Sequence, residues 1–128
     1  MVDRVIKKTE IADLVNRLME KHRVYAPVLQ QDMSSFQEIS TADQIDLSLT
    51  NTTLSPKSIM LPHSESMFEF SLETTTDQAG ILLEIETDPT PRVIFGIRPC
   101  DAMAFQLLDL NFDTVAYKDP WWVKRRQI

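Results

Sequence analysis

Ile11, Leu14, Val15, Leu18 and Met19 recur at three- and four-residue steps, while Glu10, Asp13, Arg17, Glu20 and Lys21 fill the other side. That spacing predicts a helix with one packed and one wet face. Lys21, His22 and Arg23 stand where cations favour the carboxyl end of a helix dipole, so they mark its terminus. From Val24 the texture changes to short β-prone runs at 24–29, 36–39, 45–49 and 59–61, broken by turn chemistry such as Ser55-Pro56-Lys57. Phe68, Phe70 and Leu72 then alternate with Met67 and Glu69, which predicts a strand with one buried face and assigns the phenylalanine pair to the core. Ile81, Leu83 and Ile85 repeat the alternation against Glu84 and Glu86, after a connecting loop over 74–80.

The last third differs in kind. Val93, Ile94, Phe95, Gly96 and Ile97 form an apolar run without alternation, expected of a central strand covered on both faces. Pro99 holds Arg98 extended and ends that strand. Met103, Ala104, Leu107, Leu108 and Leu110 return to helical spacing. A final helix is predicted over 119–126, with Asp119 as cap and Pro120 at the first helical position. Trp121 and Trp122 beside it call for something to pack against. The predicted fold class is α/β (α+β): a single domain with a mixed β-sheet, an amino-terminal helix and a strand-turn-helix unit.

Composition narrows the function more than the fold. The 128 residues suit one domain with one core. Two glycines are too few for a dinucleotide fingerprint, and no Walker-type phosphate loop is present. One cysteine cannot form an internal disulfide. Thirteen basic and nineteen acidic residues leave a net charge of −6, which disfavours nucleic acid and anionic lipid as partners. The imbalance is concentrated in residues 24–91, where Lys57 stands alone against the acids. No apolar run approaches the roughly 20 residues of a membrane span, and no secretory signal opens the chain, so cytoplasmic residence is expected.

The candidate chemistry is the turn Ile97-Arg98-Pro99-Cys100-Asp101, which puts the only thiol at the carboxyl end of a strand and the amino end of a helix. Open α/β sheets place ligands there. The helix dipole and Arg98 both favour a thiolate, and Asp101 is expected to cap the helix by accepting from a backbone N–H near Met103 or Ala104. Three readings compete. A free cysteine is often a buried small hydrophobe. A cysteine nucleophile needs a base, and His22 and His63 show no recognisable partnership with it. A metal site generally needs four protein ligands, of which Cys100 supplies one.

The run Arg92-Val93-Ile94-Phe95-Gly96-Ile97-Arg98-Pro99-Cys100-Asp101, followed by a helix with Leu107, Leu108 and Asp109, resembles the amino-terminal domain of iron–sulfur electron-transfer subunits. That family includes the beta subunit of cytoplasmic sulfhydrogenases and the A subunit of anaerobic sulfite reductase. Val24-Tyr25-Ala26-Pro27-Val28, Leu54-Ser55-Pro56-Lys57, Met67-Phe68-Glu69-Phe70 and Trp122-Val123-Lys124-Arg125-Arg126 fit in the same order. The resemblance implies that relatives continue with a closely spaced cysteine group and a ferredoxin-like segment holding two [4Fe–4S] clusters. It implies that Cys100 is one metal ligand of a further cluster, with Arg98 and Asp101 as cofactor-binding neighbours. Arg98 would donate hydrogen bonds or charge to an anionic cluster, or else form a surface salt bridge. Lys57 would be a second cation at that site or simply solvated.

Residues 1–128 are therefore expected to be the amino-terminal domain of an electron-transfer subunit, truncated or split before its cysteine-rich and ferredoxin-like regions. Such a domain would hold no complete cluster and catalyse nothing alone. Its partners would be the downstream iron–sulfur region and the other subunits of a hydrogenase- or sulfite-reductase-type redox complex. The alternative is a non-redox interaction module in which Cys100 is structural.

Overall fold

A computed structural model describes residues 5–70, 72, 80–86, 88 and 90–126 of the chain. Helix α1, Ile11–Met19, follows a short 3₁₀ turn at Lys8–Glu10. It ends where the basic cluster begins, and His22 Nδ1 lies 3.1 Å from the Leu18 carbonyl oxygen. Strand β1, Arg23–Gln30, then pairs antiparallel with β2, Met33–Glu38, through the two-residue turn Gln31-Asp32. Both turn residues are left-handed, at φ 48° and 63°, as the right-handed twist of a tight hairpin demands.

Two short strands, β3 (Phe68–Phe70) and β4 (Leu82–Glu84), precede β5, Arg92–Ile94. Strand β5 pairs parallel with the opening residues of β1. The mixed sheet has the order β2-β1-β5. Pro27 survives in its central strand because β5 ends opposite Tyr25, so no ladder bond is lost where Pro27 lacks an N–H. The Pro27 carbonyl instead accepts from Asp46 N at 2.9 Å. Val15, Val24, Ala26 and Ile39 form the core between α1 and the sheet, with Ile11, Leu18, Met19, Val93 and Phe95 at its margin. The predicted helix face is thus the packed one except at Leu14, which is exposed, and the α+β class with a mixed sheet holds.

Several sequence expectations are overturned. The run 45–49 is not a strand, because the Asp46 carboxylate accepts from Ser48 N at 2.9 Å and folds the segment into a turn. At 59–61, Pro56 opens a short helix, α2 (Lys57–Met60), which buries Met60. β5 lies at the sheet edge and is half-buried, while β1 is the central strand. Its apolar run extends past the strand into the turn, where Phe95 rather than Ile97 joins the core margin.

Phe68 and Phe70 are not core. Among the described residues, β3 and β4 pair only with each other, as a separate two-stranded ribbon. Phe68 is 50% and Phe70 63% exposed. Alternation buries one face of a strand only where a second layer packs on it, and the exposure of Phe68, Phe70 and Leu82 shows that the described residues supply little such cover. Of the predicted loop over 74–80, only Gly80 lies within the described residues.

Helix α3, Pro99–Phe112, and helix α4, Pro120–Arg125, complete the fold. The predicted cap of α4 is present: Asp119 Oδ1 accepts from Trp122 N at 2.8 Å. Trp122 is the residue packed inside. Its ring lies 5.5 Å from that of Phe112, and its Nε1 donates to Asp109 Oδ1 at 2.9 Å. Trp121 instead meets Phe68 edge-on at 6.0 Å, with Lys124 Nζ 5.0 Å above its ring. Among the described residues, no helix is long and apolar enough to cross a membrane.

Candidate functional site

Chain reversal between β5 and α3 depends on Gly96. Its φ of +75° lies in the left-handed region, which a side chain disfavours. Phe95 N still reaches back to the Tyr25 carbonyl at 2.8 Å, so the turn starts directly off the ladder. Arg98 is extended, at φ −81° and ψ 151°, as the residue before a proline should be. Pro99 then occupies the first helical position, where its missing N–H costs nothing. Arg98 O accepts from both Asp101 N and Ala102 N at 3.0 Å. Cys100 is thereby fixed on the first turn of α3.

The Cys100 side chain is exposed and free, which corrects the reading of a buried structural cysteine. Its neighbours are not exposed in the same way. Asp101 is only 7% exposed. The expectation that Asp101 caps α3 is corrected too, since Arg98 occupies the cap position without a side-chain cap bond. The Asp101 carboxylate turns away from the helix end and meets the segment before α2. Ser55 Oγ donates to Asp101 Oδ1 at 3.1 Å. Arg98 Nη2 stands 3.1 Å from Oδ2, an ion pair without hydrogen-bond alignment, so this buried oxygen accepts no hydrogen bond among the described residues.

Arg98 Nη1 donates to Asn51 Oδ1. The sequence-predicted trio is thus adjacent but divided: Arg98 and Asp101 face the protein, and Cys100 faces solvent. Asn51 and Ser55 are the residues that sequence reasoning missed. The detectable signal was Ser55-Pro56-Lys57, in which Ser55 Oγ accepts from Lys57 N at 3.3 Å. Lys57 therefore engages the site through its backbone, and its side chain is exposed. His63 is exposed as well.

A lone thiol is one quarter of the donor set that a cubane cluster requires. Among the described residues, no group of three or more His, Cys, Asp or Glu could hold a metal ion. This chain's own residues do not fit a complete cluster.

Away from this turn, a concavity of about 410 Å³ is lined by Glu20, Lys21, His22, Arg23, Glu38 and Thr90 among others. Arg23 and Glu38 are committed to each other. Arg23 donates from Nε to Glu38 at 2.9 Å and from Nη1 to Asp88 at 2.9 Å. Arg23's hydrogen bond holds the Glu38 carboxyl below its ordinary pKa, whereas burial and then the Glu38 charge push Tyr25 up.

No family model matches the chain, and no solved structure matches it significantly. A curated relative does. The aligned stretch takes in 90% of this chain and 32% of the relative, so the chain spans about a third of that protein's length. Over those 115 residues the chain is 30% identical to, and a distant homologue of, the protein named sulfhydrogenase 2 subunit beta from Pyrococcus furiosus, the kind of subunit that its Phe-Gly-x-x-x-Cys-Asp turn resembles.

Proposed function

We propose that this chain is the amino-terminal, cluster-supporting and docking domain of an electron-transfer subunit in a hydrogenase-type oxidoreductase. Homology to a sulfhydrogenase beta subunit, extending over nine-tenths of the chain, carries the reading. Cys100 is the metal ligand, and the remaining thiolates come from polypeptide outside these 128 residues. Exposure on the first turn of α3 supports this, because a thiol that shares a cluster with other segments must be open to them. Arg98 keeps guanidinium hydrogens beyond those turned to Asn51 and Asp101, and its charge favours an anionic cluster. Asp101 acts from behind, by holding the turn.

Docking goes with this role. Met103, Leu107 and Leu110 form one stripe along α3 and are 54%, 54% and 71% exposed. Asp101 is the only buried residue of this 14-residue helix. A helix whose apolar stripe is left this open is read as one face of an interface with the rest of the subunit or its complex.

The test is to express the chain with the sequence that follows it in its gene, reconstitute anaerobically and count iron per polypeptide. Cys100→Ser should remove or alter one cluster signal. An unchanged cluster count and spectrum would reject Cys100 as a ligand.

A further inference from the structure

We propose that Asn51 and Ser55, on the segment between β2 and α2, are positioning residues for the Cys100 thiol, acting through Arg98 and Asp101 on either side of it. The functional meaning rests on reading Cys100 as a ligand; the physical claim does not.

Asp101 is the first anchor. A carboxylate 7% exposed is costly to bury unless it is hydrogen-bonded, and Ser55 is its hydrogen-bond donor among the described side chains. Ser55 is itself held, since Lys57 N donates to its oxygen and Pro56, the next residue, is fully buried. A rigid donor therefore meets a buried acceptor one residue beyond the thiol.

On the other flank, Arg98 would ordinarily be a mobile surface side chain. Here its guanidinium is held between Asn51 and Asp101, so both flanks are tied to the same segment. Cys100 makes no side-chain hydrogen bond among the described residues, so nothing of its own fixes its direction. Shared ligation requires a donor held to within about 0.5 Å of its working position. The clamp holds the backbone that carries the thiol, and so the point from which its side chain projects, through residues that make no hydrogen bond to the thiol.

The experiment uses the chain as it stands, comparing Ser55→Ala, Ser55→Thr and Asn51→Ala with the parent. Two quantities are read: the iodoacetamide alkylation rate of Cys100, and hydrogen exchange at the Asp101 and Ala102 amides against the β1 amides. Ser55→Ala should speed exchange at Asp101 and Ala102 about tenfold while β1 is unchanged, and should shift the alkylation rate at least about threefold. Ser55→Thr, which keeps the hydroxyl, should restore both. Asn51→Ala removes an exposed side chain and should loosen the same amides without unfolding the protein. It therefore gives an answer even if Ser55→Ala fails to fold.

Parent-like exchange and alkylation in folded variants would overturn the proposal. So would equal acceleration of exchange in β1 and the turn, which would make the contacts general stability and not positioning. Loss of the ligand role reads differently: Cys100→Ser would leave the cluster unchanged while the clamp variants still altered thiol reactivity.

Discussion

Gly96→Ala isolates the backbone cost of presenting the Cys100 turn. Gly96 sits at φ +75°, where an L-residue pays about 1–2 kcal/mol in steric strain. Sterics with the neighbouring chain contribute little, because an added Cβ would lie 3.5 Å from Pro27 Cδ and 3.6 Å from Cγ, ordinary contact distances. Alanine also restricts the unfolded chain, which returns about 0.4–1 kcal/mol. The net expectation is a loss of about 1 kcal/mol, or about 4 °C in Tm for a domain of this size.

Urea titration followed by circular dichroism would measure the loss, provided different probes report one transition. Gly96→Asn should recover much of it, since asparagine tolerates the left-handed region. An alanine variant as stable as the parent would refute the strain argument. An asparagine variant as damaged as alanine would move the cost from φ to contact with Pro27.

Three further outcomes follow from other parts of the fold. Glu38's lowered pKa means its ion pair contributes fully above the unfolded value of 4.5 and is lost as pH falls through the folded one. The partners are 33% and 42% exposed, so screening keeps the effect under about 1 kcal/mol, and Glu38→Gln should flatten stability in that acid window. Tyr25 has the opposite sign: its raised pKa makes stability fall as pH climbs past 10.0, a slope that Tyr25→Phe should reduce in alkaline denaturation series. Trp122→Ala should cost about 3–5 kcal/mol by emptying the site between α3 and α4, whereas Asp119→Ala should cost about 1 kcal/mol through the lost cap. Equal losses in thermal melts would contradict that ranking.

Local chemistry was legible wherever a few adjacent residues sufficed. The periodicity from Ile11 to Met19 specifies α1 because a helix needs only its own backbone and one apolar stripe. Asp119-Pro120 and Arg98-Pro99 announce the starts of α4 and α3 because capping and proline geometry act within one turn. Cys100 could be placed on a helix start by the same logic. Strand runs failed where that logic stopped. Residues 45–49 have strand-like composition, yet an aspartate-serine turn competes for the backbone. Phe68 and Phe70 alternate correctly, but alternation does not say whether a covering layer exists.

By itself, then, the order of residues determined α1, α3 and α4 and the turn that carries the thiol. These depend on interactions closed within a few positions, whose energies do not wait for the rest of the molecule. Only the folded arrangement decided that β1 is central and β5 peripheral, that Cys100 faces outward while Asp101 beside it is buried, and that Asn51 and Ser55 tie down the turn between them. Ser55 and Asp101 are 46 positions apart, and a hydroxyl meets a carboxylate across that span only after the segment before α2 and the first turn of α3 have been brought together.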